Sequence, residues 1–224
     1  MKILIYGATG MVGQGVLREC LDAPDVASVV AIGRTPLGMR HPKLQEIVRP
    51  DLYRYDGLET QLSGFDACFF CLGTSSAGKS EAVYTRITYD LTMAAASLLA
   101  RLNPDMVFTY VSGASTDSSE QGRAMWARVK GRTENALLKL PFKAAYMFRP
   151  GLIRATDGSV SKTPAYRFLY GLLAWLIPLL HRAFPNQVVS TREIGKVMLS
   201  LARAPAGKPI YEIRDIRAAL DRLG

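Results

Sequence analysis

Lys2-Ile3-Leu4-Ile5-Tyr6 is a short apolar run that stops at Gly7, and Gly7-Ala8-Thr9-Gly10-Met11-Val12-Gly13 then places a glycine at every third position. Val12, Val16, Leu17 and Cys20 follow at helical spacing. Strand, glycine turn and helix in that order constrain the chain more than any other feature. Glycines permit a tight turn, let the backbone approach a pyrophosphate and bring helix and strand close, and the helix N-terminus offers unpaired N–H groups to an anion. A tight turn holding no ligand is the plainer alternative, and the complete βαβ unit behind it argues against that.

The pattern repeats along the chain. Val26 to Ile32 is β-branched and nearly continuous, ended by Gly33-Arg34-Thr35-Pro36, and Glu46 to Arg49 precedes Pro50. A short helix is expected near Leu58 to Leu62, then a strand over Ala67 to Leu72 before Gly73-Thr74. From Glu81 to Leu102 the stripe Val83, Ile87, Leu91, Ala94, Leu98 and Leu102 predicts a long helix with that face on a sheet. Met106 to Val111 reads as a strand, Met125 to Leu140 as a helix carrying Trp126 and Lys130, and Ala144 to Phe148 as a strand broken by Arg149-Pro150-Gly151. Continuous apolar strands require helices on both faces. The expectation is an α/β domain with a doubly wound parallel sheet.

Beyond Gly151 the alternation weakens: Tyr166 to Leu180 is strongly apolar, Thr191 to Ala202 reads as a surface helix and Pro209 to Ile213 as a last strand. No Gly, Ser or Pro linker separates this part. Residues 1–224 are therefore read as one domain, with 152–224 as a small C-terminal elaboration on the substrate side.

A chain that is 49% hydrophobic and 21% charged is neither disordered nor of low complexity. Its net charge of +9 is uneven: residues 1–122 hold 10 Lys+Arg against 13 Asp+Glu, residues 123–224 hold 18 against 6. Such asymmetry favours an anionic partner, whether phosphorylated cofactor, membrane surface or nucleic acid. Basic residues are not interleaved with aromatics, and no nucleic-acid motif appears, so nucleic acid is not expected. Three cysteines make no disulfide framework, and with no secretory layout at Met1 to Tyr6 the expected compartment is reducing cytoplasm. Cys68 and Cys71, three apart in a strand, should face opposite sides, which disfavours a disulfide or chelate. His41 and His181 stand alone, so no metal site or His-based triad is expected.

The second strand ends Ala31-Ile32-Gly33-Arg34-Thr35, without the acid that binds the ribose 2′-hydroxyl of NAD. A guanidinium at Arg34 suits the 2′-phosphate of NADP, making NADP (NADPH) the expected cofactor and NAD the lesser one. Asp51-Leu52, after the third strand, is expected either to touch the adenine or to cap a loop.

These residues resemble the short-chain dehydrogenase/reductase superfamily in its extended and atypical, epimerase-like branches. Cys71-Leu72-Gly73-Thr74-Ser75, followed by a Lys-containing loop, is similar to the Tat-interacting oxidoreductase-like group. The resemblance implies a Rossmann fold with cofactor contacts from Gly7, Thr9, Gly10, Met11, Val12, Gly13, Arg34, Thr35, Asp51, Leu52, Leu72, Gly73, Thr74, Ser112, Lys130, Pro150, Gly151 and Ile153. It further implies a catalytic Ser at Ser112, with Ser115 as the alternative, and a Tyr-x-x-x-Lys pair whose Lys is Lys130. The tyrosine position is Trp126.

An indole N–H is a donor only and exchanges no proton near neutral pH. Three readings stay open: a redox-silent NADP-dependent sensor or scaffold, a reductase protonating through water or Ser112, or a replacement hydroxyl from Tyr84, Tyr89 or Tyr110. The expected function is an oxidoreductase on a small or hydrophobic carbonyl compound. Tyr166 to Pro185, bordered by Arg167, His181 and Arg182, is expected to form a lid, a subunit contact or a peripheral membrane contact, with plain core as the alternative, and the chain is expected to be a monomer or homodimer. Its apolar core from Phe168 to Leu180 is shorter than the roughly 20 residues that span a bilayer.

Overall fold

The computed structural model describes residues 1–156 and 188–223. In β1 (Lys2–Tyr6) Ile3 and Ile5 are buried in one core and Leu4 and Tyr6 in another. That two-sided burial is what a strand covered by helices on both faces shows. β2 (Ser28–Gly33), β3 (Leu44–Val48), β4 (Ala67–Phe70), β5 (Val107–Val111) and β6 (Ala144–Arg149) join it in a parallel sheet. The seventh strand, β9 (Ile210–Glu212), pairs with β6, giving the order β3-β2-β1-β4-β5-β6-β9. This is a Rossmann-like, doubly wound α/β fold, and the order reverses between β1 and β4, where such sheets bind ligands. β7 (Leu152–Arg154) and β8 (Val188–Ser190), which no hydrophobic run announced, form a separate two-stranded parallel sheet.

One face of the sheet carries α1 (Met11–Asp22), α5 (Thr191–Arg203) and α6 (Ile213–Asp221). α1 and α5 approach closely because each presents a glycine to the other. A Cβ on Gly15 would lie 2.4 Å from Thr191 Cβ, and one on Gly195 would lie 3.0 Å from Val16 Cα. Arg192 binds Glu19 and Asp22 across the same seam, and Arg203 binds Asp25 through two bonds of 3.0 and 2.6 Å. Basic residues of the second half thus pair with acids of the first. α6 was not foreseen: it follows β9 directly, and its start is capped by Glu212 with Asp215, a pair outside the usual Ser/Thr/Asn/Asp signal.

The other face carries α3 (Leu91–Leu102) and α4 (Met125–Leu137). The long helix expected over Glu81 to Leu102 is instead α2 (Glu81–Thr85), a π-helical turn (Arg86–Asp90) and α3. Its fully buried face is Tyr84, Thr88, Leu91, Thr92, Ala95, Ala96, Leu99 and Ala100; of the expected stripe Leu91 is buried, Ala94, Leu98 and Leu102 pack at the edge of the core, and Val83 is exposed. Ala95, Ala96 and Leu99 are fully buried, and Ala94 and Leu98 pack against the same core at its margin. Cys68 and Cys71 sit in different cores, and both are free thiols. Among the described residues no helix is long and apolar enough to cross a membrane. The segment expected from Tyr166 to Pro185, and His181 with it, lies outside the described residues.

Candidate active site

The glycine turn is fixed by backbone meeting backbone. Gly7 has φ +78°, a left-handed conformation that favours glycine, and a Cβ on it would lie 2.6 Å from Leu72 N. A Cβ on Gly13 would lie 2.2 Å from the Gly7 carbonyl oxygen. Gly10 N–H donates to that same carbonyl at 2.9 Å, and Gln14 Nε2 donates to the Thr9 carbonyl at 3.1 Å, closing the turn. Gly10 caps α1 without a side-chain bond, and no acid stands in the first turn with Met11 and Val12. The N–H groups there are left to an anion.

Arg34 and Thr35 are exposed beyond β2, and Arg34 has no partner among the described residues. Asp51 accepts the Tyr53 N–H at 2.8 Å, as a loop cap does, and Leu52 anchors this turn in the core at 2% exposure. Leu72 touches Gly7, Gly73 faces open space, and Thr74 is exposed. Pro150 accepts the Ala114 N–H at 3.0 Å, Gly151 is exposed, and Ile153 is half-buried in β7. An open helix N-terminus, a loose glycine and an unpaired guanidinium make a donor set that fits a dinucleotide.

At the carboxyl ends of β4 and β5 a cleft of about 380 Å³ is lined by Thr74, Ser75, Tyr84, Ser112, Trp126 and Lys130, among others. Trp126 and Lys130 share it because residues four apart on α4 stand on one face. Lys130 Nζ donates to the Ser112 carbonyl, and burial pushes its pKa down to about 8, with Glu134 pulling the other way. The Ser112 Oγ lies within bonding distance of Glu134 and of the Phe148 carbonyl, so its one proton is committed away from the cleft. Ser115 is exposed at φ +65°.

Glu134 is completely buried and is the residue the sequence reading missed. It binds Arg149 through both oxygens, and Arg149 also reaches Glu212 at 3.1 Å and Ser118 at 2.5 Å. The signal for it was Trp126, Lys130 and Glu134 at steps of four along one helix.

No family model matches the chain. A relative from Aspergillus terreus, fmp52-1, is 33% identical over 179 residues, covering 76% of this chain and 75% of that protein. The chain belongs to the FMP52 family. Protein FMP52 of Saccharomyces cerevisiae is 29% identical over 100% of this chain and 99% of its own length. The Rattus norvegicus protein HTATIP2 is 28% identical over 68% of the chain, which spans 62% of that protein. This places the FMP52-family chain in the atypical short-chain dehydrogenase/reductase branch. Among solved structures, the Bordetella bronchiseptica enzyme WbmF in complex with NAD+ matches 99% of the chain and 78% of its own at TM-score 0.65 and 13% identity. The Lactococcus lactis oxidoreductase ylbE matches 100% and 96% at 0.64 and 18%. Both share the fold of this chain. The FMP52 relatives are named mitochondrial, which overturns the expectation of cytoplasm. Cysteine content reports a reducing environment and does not tell cytosol from mitochondrion.

Proposed function

We propose that this chain is an NADP-dependent oxidoreductase acting on a small or hydrophobic carbonyl compound. The observation that supports it is the meeting of Ser112, Trp126 and Lys130 in one cleft beside a glycine turn that leaves the α1 N-terminus uncapped. A bound nicotinamide cofactor supplies or accepts hydride there. The Gly7 to Gly13 backbone would hold its pyrophosphate, Arg34 its 2′-phosphate and Lys130 its nicotinamide ribose. A small-molecule partner, rather than nucleic acid, belongs to the same reading.

A second reading, a non-catalytic NADP-dependent sensor or scaffold, is favoured by Trp126 at the position of the phenol and by the committed Ser112 hydroxyl. Calorimetric titration of NADPH and NADH decides the cofactor. NADPH is expected to bind about ten- to a hundredfold more tightly, and Arg34→Ala to remove the preference; equal affinities in the wild type defeat the NADP assignment. NADPH consumption against quinones and aldehydes decides the class. A folded, NADPH-binding protein that reduces none of them leaves the sensor reading in place.

A further inference from the structure

The geometry points to Tyr84 as the proton donor of this cleft, in the chemical place that Trp126 leaves without an acid; the inference rests on the oxidoreductase reading above. Tyr84 lines the same cleft as Ser112, Trp126 and Lys130. The two other phenols singled out in the sequence are elsewhere. Tyr84 and Tyr110 are both deeply buried, at 2% and 1% exposure, but Tyr110 packs in the core and is not among the residues lining the cleft, and the Tyr89 ring lies under Arg132 at 4.4 Å.

Three features hold Tyr84 in this position. Ser80 caps α2 by accepting the Val83 N–H, and Glu81, one turn before Tyr84, pairs with Arg128 of α4 at 2.6 Å. That ion pair ties α2 to the helix that carries Trp126 and Lys130. The π-helical turn over Arg86–Asp90 begins two residues after Tyr84, and such turns concentrate at functional sites. The remaining groups of the cleft do not serve as acids: the Ser112 proton goes to Glu134 or Phe148, indole does not titrate, and serine and threonine hydroxyls are far weaker acids than phenol.

In the reducing direction the carbonyl carbon gains hydride from a dihydronicotinamide, which is oxidised. The Tyr84 O–H bond breaks and its proton goes to the carbonyl oxygen, so the product is the alcohol and Tyr84 is left as phenolate. Lys130, with its pKa near 8, passes a solvent proton back to the phenolate and is itself reprotonated from water.

The test uses Tyr84→Phe, with Tyr89→Phe as the control, and 9,10-phenanthrenequinone as the carbonyl probe. Calorimetry should show both variants binding NADPH within twofold of wild type. Affinity of the NADP+-loaded protein for the quinone, a complex that cannot react, should fall about tenfold in Tyr84→Phe, as expected for one lost hydrogen bond. Quinone reduction should fall by about 10²–10⁴-fold, and the decline of the wild-type rate at high pH should vanish. A Tyr84→Phe protein within threefold of the wild-type rate, with an unchanged pH profile, overturns the assignment and leaves the oxidoreductase reading standing. A wild type that binds NADP+ yet reduces neither this quinone nor any of the other quinones and aldehydes overturns both.

Discussion

Two walls at the carboxyl end of the sheet, the glycine turn and a buried polar network that reaches the cleft through Ser112, are built from opposite materials. On one, Gly7 packs against Leu72 and Gly13 against Gly7, and the contact exists because side chains are absent. On the other, Ser112 at the end of β5, Glu134 on α4, Arg149 at the end of β6, Glu212 at the start of α6 and Ser118 in a loop form one buried polar network. The glycine wall is specified by neighbouring positions in the chain. The polar wall is specified by partners from separate segments, each of which leaves a costly unpaired group if its counterpart is lost.

The largest effect should come from breaking the polar wall. Glu134→Ala strands the buried Arg149 guanidinium and is expected to cost about 3–5 kcal/mol in urea denaturation. Glu134→Gln, which retains an acceptor for Ser112, should cost less. A loss under about 1 kcal/mol for the alanine variant breaks the comparison, because the pair would then not hold that wall.

Gly13→Ala tests the other wall. Its Cβ would meet a backbone oxygen at 2.2 Å, which no rotamer can relieve, and overpacking of this kind costs about 1–3 kcal/mol. Dinucleotide affinity should fall as the turn shifts. Gly73→Ala sharpens the result: nothing lies within 4 Å of its Cβ, so stability should be unchanged. Equal melting of the two variants would show that close approach does not fix the turn.

The smallest effect is electrostatic. Burial holds Lys130 near 8 in the folded chain, below the ordinary value of 10.5. Between those values the unfolded chain binds more protons than the folded one, so this residue adds stability as pH rises through the window and loses it as pH falls through about 8. The stability difference between wild type and Lys130→Met should therefore move in favour of wild type between pH 7 and pH 10. A difference independent of pH would mean that Lys130 is not desolvated.

The charge asymmetry of the sequence shows how far a linear reading reaches. Halves of opposite sign suggested an external anion, yet Arg192 and Arg203 neutralise Glu19, Asp22 and Asp25 inside the fold. The helix over Glu81 to Leu102 shows the same limit. Its apolar stripe was legible, but the fully buried face is turned from it onto Tyr84, Leu91, Ala95, Ala96 and Leu99, because burial depends on the neighbours that the fold sets against a helix.

By itself the sequence determined the parallel strands, the glycine turn and the face of α4 shared by Trp126 and Lys130, since these follow from periodicities of two and 3.6 and from steric freedom at single residues. Only the tertiary structure decided that Ser112 turns its hydroxyl to Glu134, that Tyr84 reaches the cleft and that β9 completes the sheet beside β6. Those outcomes depend on groups far apart in the chain whose hydrogen bonds and volumes must be satisfied together, and no local pattern records such a condition.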